Sequence, residues 1–179
     1  MDSFSKVRVE SAIVATVIVG PDTSVTVTAD DNLMANVVTD VTLGKLDVRM
    51  QGSVTPRTRV TVAITTPTLA DVEATSAANV TATGVNTSDL TASADAAASL
   101  VVRGNASTVE VAASSAATAD LGGVPAQSAT ATVTSAAQAT VNAQLSVSGS
   151  VDSAGVLHVE GSPPTVSVST SSGGAVVKD

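Results

Sequence analysis

Val109-Glu110-Val111-Ala112-Ala113-Ser114-Ser115-Ala116-Ala117-Thr118-Ala119 is the stretch that decides how this chain folds. Val109, Val111 and Ala113 occupy every second position ahead of the small pair Ala116-Ala117, and period-two alternation marks a half-buried strand. Ala119 follows two residues after the pair, and Gly123 six residues after it. Then the pattern restarts: Ala129, Ala131 and Val133 lead into Ala136-Ala137.

Working outward, the small pair recurs as Ala77-Ala78, Ala97-Ala98, Ala116-Ala117, Ala136-Ala137, Ala154-Gly155 and Gly173-Gly174, at spacings of 20, 19, 20, 18 and 19. The flanks agree with it. Val80, Leu100, Ala119, Ala139, Leu157 and Val176 stand two residues beyond the pairs. Gly84, Gly104, Gly123, Ala143 and Gly161 stand six beyond. Ahead of the pairs come Ala70/Val72/Ala74, Leu90/Ala92/Ala94 and Val147/Gly149/Val151, separated mostly by Ser, Thr, Asp, Glu or Gln.

Each unit therefore reads as a strand, a tight corner at the small pair, a second short strand and a turn at glycine. One such rung cannot close a core alone, but stacking on a neighbour pairs its backbone and buries its inward positions. The expected fold is all-β, a β-solenoid with rungs of about nineteen residues. Six rungs would extend roughly 29 Å at the usual strand spacing. Val80, Leu100, Leu157 and Val176 are expected in one inward column.

Residues 1–66 are strand-like but less regular. Val7/Val9, Val25/Val27, Leu46/Val48/Met50 and Val60/Val62/Ile64 alternate with polar residues. Breaks fall at Gly20-Pro21-Asp22, Asp30-Asp31-Asn32, Gly44 and residues 52–56, and only residues 32–38 have room for one helical turn. A solenoid end exposes an edge that needs covering, so residues 1–66 are read as the N-terminal portion holding a cap. Residues 67–179 are the regular repeat, continuous with it in a single domain.

Composition fits this architecture. Hydrophobic residues make up 44% of the 179, yet aromatics only 1%, with Phe4 alone. Small side chains each remove little area from water, so they build a core only where the interior is narrow and regular. A mean hydropathy of +0.37 with alternating Val argues against disorder. The formal net charge is −8. From residue 61 onward only Arg103 and Lys178 are basic, and a surface so poor in cations repels a phosphate backbone. Nucleic acid is therefore excluded as a partner. No cysteine is present, and no stretch is long enough to span a membrane as a helix. No signal peptide is visible either, so export would require a leader outside this sequence.

The sequence resembles the bacterial family of auto-transporter adhesins with a head GIN domain, over nearly its whole length. The residues that carry the resemblance are Phe4 with Val7-Arg8-Val9, then Val25-Thr26-Val27-Thr28-Ala29-Asp30-Asp31-Asn32-Leu33, and Leu46-Asp47-Val48. Val60-Thr61-Val62-Ala63-Ile64-Thr65-Thr66-Pro67-Thr68-Leu69 follows, then corners such as Thr75-Ser76-Ala77-Ala78 and Ser171-Ser172-Gly173-Gly174, and Gly161-Ser162-Pro163. Most corners carry Ala where the family usually has Gly, and His158 replaces an aromatic before the late Gly-x-Pro. The resemblance implies a solenoid-like domain on exported or surface proteins.

Chemistry is sparse. His158 is the single histidine, too few for a histidine metal cluster, and it sits outward in Leu157-His158-Val159. Asp30-Asp31 falls in a turn and Asp71/Glu73 on an exposed strand face, so both pairs read as solvated charges. Asp30-Asp31-Asn32 lacks the spacing and bidentate Glu of an EF-hand loop, and no glycine-rich loop opens a helix to cradle phosphate. No catalytic, cofactor-binding or metal residue is expected, and no cofactor. What remains is a hydroxyl-rich surface carrying Thr26/Thr28, Thr81/Thr83, Thr130/Thr132/Thr134 and Ser167/Ser169. The expected function is a non-enzymatic cell-envelope or secreted module of structural or adhesion type. Its partner would be a protein or a cell surface, with self-association into a homo-oligomer as one form. The alternatives are a ligand-binding or sensory envelope module and, behind it, an ice-binding or polysaccharide-active β-helix. Missing aromatics weigh against the last, because sugars stack on Trp and Tyr.

Overall fold

The computed structural model describes residues 2–52 and 59–179, and in it the period-two pattern becomes strand after strand. In chain order these are β1 (Lys6–Val9), β2 (Val14–Val19), β3 (Ser24–Thr28), β4 (Val37–Thr42), β5 (Lys45–Met50), β6 (Thr61–Thr66) and β7 (Asp71–Ala74). The long strands β8 (Asn79–Ala94), β9 (Ser99–Ala113), β10 (Thr118–Val133) and β11 (Gln138–Val151) follow, then β12 (Val156–Glu160), β13 (Thr165–Thr170) and β14 (Ala175–Lys178). Between β3 and β4 lies a single 3-10 turn at Met34–Asn36, inside the one window that sequence left for a helical turn. Part of the predicted break at residues 52–56 lies outside the described residues.

Parallel pairing stacks the strands into a β-solenoid of about five regular coils. The first half of each long strand lies on one side of the coil, here the entry side, together with β2, β3, β6, β12 and β14. The second half lies on the return side with β1, β4, β5, β7 and β13. Register explains the narrow core. On the entry side Val27, Val62, Ala15, Val80, Leu100, Ala119, Ala139, Leu157 and Val176 form one unbroken inward column. On the return side the matching column is Val41, Leu46, Val7, Val72, Ala92, Val111, Ala131, Gly149 and Val168. Val80, Leu100 and Leu157 are fully buried as expected. Val176 lies in their column but is only half-buried, because no described strand covers the outer side of β14.

Stacking order departs from chain order at one end. β1 and β2 pair on one side with β7 and β8, and on the other with β5 and β6. The chain thus starts one layer in, steps outward through β3 and β4, and returns to fill the gap with β5 and β6. It then passes over its own first layer to reach β7. β3 and β4 run antiparallel to their neighbours β6 and β5 and form the outer layer at this end.

The corners sit one residue earlier than the small pairs. Ser76 and Ala77 have φ of 54° and 61°, and the Ala78 N–H donates to Thr75 O at 3.1 Å, so the turn is centred on Ser76-Ala77. Ala78 itself is buried beneath the corner, as are Ala98, Ala117 and Ala137. Adjacent corners bond to one another: Ala77 N–H donates to Ala96 O, Ala97 N–H to Ser115 O and Ala116 N–H to Ser135 O, each at 2.9 Å. The predicted glycine turn at the other end of the rung is a bend inside a continuous strand, with register shifts between Ala82/Val85 and between Asp120/Gly123. Gly104 marks such a bend, since a Cβ there would fall 2.1 Å from Val85 O. Gly149 stands in the return column at φ +136°, where a Cβ would meet Ala131 O at 1.8 Å. Only glycine fits there.

Candidate functional surface

The outward positions of the return side make two columns that run the length of the solenoid. One is Thr42, Lys45, Lys6, Asp71, Thr91, Glu110, Thr130, Ser148 and Ser167. The other is Asp40, Asp47, Arg8, Glu73, Ser93, Ala112, Thr132, Ser150 and Ser169. The face therefore has two chemistries: charge on β4, β5, β1 and β7, and hydroxyls on the rungs beyond them.

At the charged end Lys45 Nζ lies 2.6 Å from Glu73 Oε2, and Arg8 Nε lies 2.8 Å from Glu10 Oε1 and 3.4 Å from Glu73 Oε1. Glu73 thus ties β5 and β1 to β7 from the outside, across strands distant in sequence. Arg49 pairs with Asp47. Burial holds the Asp71 carboxyl above its ordinary pKa, with Glu73 adding to the rise, while Lys45 and Lys6 pull against it. The charges of Arg8, Asp40, Lys45 and Asp47, with Thr42, line a groove of about 270 Å³.

At the hydroxyl end Thr130/Thr132, Ser148/Ser150 and Ser167/Ser169 share one register on three consecutive rungs. Thr130 Oγ1 and Ser148 Oγ are 3.3 Å apart. Two of the arrays predicted from sequence, Thr130/Thr132 and Ser167/Ser169, therefore meet on this face through Ser148/Ser150. The other two, Thr26/Thr28 and Thr81/Thr83, belong to the entry side. Glu110/Ala112 interrupts the hydroxyls between β8 and β10.

Other polar groups have structural work. Thr134 precedes a corner, in the same position as Asp95, Ser114, Asp152 and Ser171 of other rungs. There Ser114 Oγ donates to Asp95 Oδ1 and Ser171 Oγ to Asp152 Oδ1, each at 2.5 Å. Hydrogen bonds from Ser114 and Ser115 hold the Asp95 carboxyl below its ordinary pKa. Arg103 bonds Asp120 on the next rung at 2.6 Å and depresses that carboxyl likewise. His158 faces outward between Thr140 and Val177. Asp30 and Asp31 lie at the turn ahead of the 3-10 segment, far in register from Asp71/Glu73. Among the described residues no group of three or more His, Cys, Asp or Glu is placed to hold a metal ion.

Sequence reading counted Lys6, Arg8, Lys45 and Arg49 only as charge and took Asp71/Glu73 as solvated. The signal for their network was present: Lys6-x-Arg8, Lys45-x-Asp47-x-Arg49 and Asp71-x-Glu73 share one strand parity. Which strands stack beside which was not written in that spacing.

Solved structures of the same architecture exist. A "putative adhesin" of Bacteroides fragilis superposes with a TM-score of 0.77 at 17% identity, covering 99% of this chain and 93% of that one. A "putative lipid binding protein" of Parabacteroides distasonis superposes with a TM-score of 0.59 at 15% identity, covering 100% and 94%. A "putative adhesin" of Parabacteroides merdae does so with a TM-score of 0.55 at 17%, covering 100% and 93%. At such identities the likeness establishes the fold alone. No curated protein matches the chain. A family model does match, over residues 3–163, and on that span the chain belongs to the family described as "Putative auto-transporter adhesin, head GIN domain".

Proposed function

We propose that this chain is a non-enzymatic cell-envelope or secreted module of adhesion type that presents the return face of its solenoid to a protein or cell-surface partner. The observation that carries the reading is the shared register of Thr130/Thr132, Ser148/Ser150 and Ser167/Ser169. A stack of identical rungs sets hydroxyls at a fixed repeat on a stiff support, and repeated weak contacts add up when the support holds them together. Membership of an adhesin family supports both the absence of catalysis and an exported location. A net charge of −8 supports a partner other than nucleic acid. Self-association is one form of the same contact.

The test is attachment of beads coated with the purified chain to cells and extracellular matrix. Thr130→Lys with Thr132→Lys should abolish attachment while leaving the circular dichroism spectrum unchanged. Thr118→Lys, exposed on the entry side, should leave attachment intact. Equal loss from both variants, or attachment that survives both, would refute the assignment to this face. Light scattering reads the self-association arm directly, as a mass above that of one chain.

A further inference from the structure

The groove at the charged end breaks a rule of strand pairing. Asp40 and Asp47 stand directly opposite each other in the antiparallel pair of β4 and β5, where like charges repel. Only one guanidinium serves the two: Arg49 pairs with Asp47 Oδ2. Asp47 Oδ1 is shut off from solvent and has no hydrogen-bond partner. Asp40 accepts a bond from Thr42 Oγ1 at 3.3 Å and makes no ion pair with any described residue. The other two charges of the groove are spoken for, Lys45 by Glu73 and Arg8 by Glu10 and Glu73. The local deficit is one positive charge, at Asp40.

Two facts narrow what supplies it. A quaternary ammonium is held by aromatic faces, and the single aromatic, Phe4, is buried in the core. A primary ammonium instead brings N–H donors, which suit two carboxylates. Lys45 and Arg8 line the same groove, so a ligand cationic along its whole length would be repelled there. Its far end must be anionic. Directly opposed and diagonal side chains across a strand pair are separated by roughly 5 to 8 Å, which sets the distance between the two charges.

We infer that the groove of Arg8, Asp40, Thr42, Lys45 and Asp47 binds a small zwitterion, with a primary ammonium on Asp40 and Asp47 and its anionic group toward Lys45 and Arg8. Aminoethyl phosphate is the simplest ligand of this class, whether free or as a lipid headgroup. The site is separate from the hydroxyl rows, and its fate does not depend on theirs.

Isothermal titration of the full chain with phosphoethanolamine at low salt tests it. Saturable binding is expected, weakened on the order of tenfold by Asp40→Asn and unchanged by Glu110→Gln, an exposed carboxylate further along the same face. Asp40 is exposed, so the variant folds, and its circular dichroism spectrum confirms that. Phosphocholine, which has no N–H donor, should bind far more weakly. Absence of saturable heat, equal binding of phosphocholine, or an Asp40→Asn affinity within twofold of the parent would overturn the assignment. Cosedimentation with phosphatidylethanolamine vesicles but not with phosphatidylcholine vesicles identifies a membrane source. Binding of the soluble compound alone identifies a free one.

Discussion

The regular coils from β8 to β12 and the opposite end, where β5 and β6 are slotted beside β1 and β2, share one core but not one logic of assembly. In the coils each rung rests on the rung before it in sequence, so contacts are local in the chain. At the other end the first layer waits for residues some forty positions later to cover its outer side. The inward columns nevertheless run through both without a break, from Val27 to Val176 and from Val41 to Val168. A solenoid core specifies parity and side-chain size at each layer, and is indifferent to the order in which the chain supplies the layers. The outer surface does register the difference, with ion pairs between the out-of-order strands and hydroxyls on the ordered ones.

The sharpest way to break this picture is a charge in the shared column. Leu100 is fully buried, and Leu100→Asp should cost more than the ~2–5 kcal/mol of truncating a buried leucine to alanine, unfolding several coils together. Loss of the cooperative transition in urea would register it. Persistence of a native transition would mean that the column is not the core.

Next comes a direct comparison of the two regions. Leu46 on the slotted strand β5 is as buried as Leu100, so Leu46→Ala and Leu100→Ala should each cost about 2–5 kcal/mol if one core serves both. Hydrogen exchange distinguishes the alternatives. A single cooperative core loses protection from β1 to β12 in both variants, whereas a separable end layer would confine the effect of Leu46→Ala to β3 through β6.

Smaller effects sharpen the account of corners and surface. Ala116 holds φ 60° at a corner, a conformation that costs an L-residue about 1 kcal/mol and glycine almost nothing. Ala116→Gly should therefore raise stability by about 0.5 kcal/mol after the entropic penalty of glycine, contrary to its effect inside a strand. Arg103 depresses the Asp120 carboxyl, so this pair contributes stability above the ordinary aspartate pKa near 3.8, lost as pH falls from there through the depressed folded value. The stability difference between the parent and Asp120→Asn should be present at neutral pH and vanish toward pH ~2. Last, His158→Ala should change stability by less than ~0.5 kcal/mol, because His158 faces outward beside Thr140 and Val177. A larger loss would place this strand in the wrong register.

How much of this was legible varied along the chain. The inward residues of β7 through β14 could be read because the pattern repeats at a nearly constant interval and each copy checks the others. The corner was displaced by one residue, since an Ala pair does not say which member turns: Ser76-Ala77 turns and Ala78 is buried. The glycine bends were misread as closed turns because Gly84 and Gly104 permit either, and the unbroken pairing on both sides selects the bend.

Alternation, small inward residues and a period near nineteen by themselves determined an all-β solenoid and the side each residue faces. Those properties are fixed by backbone pleating and by the volume available between two close sheets. Only the tertiary structure decided that β5 and β6 lie outside β1 and β2, that Asp40 faces Asp47, and that Glu73 gathers Lys45 and Arg8. Parallel strands with the same parity fit beside one another in any order, so the choice among neighbours rests on loop reach and long-range packing, which no local pattern records.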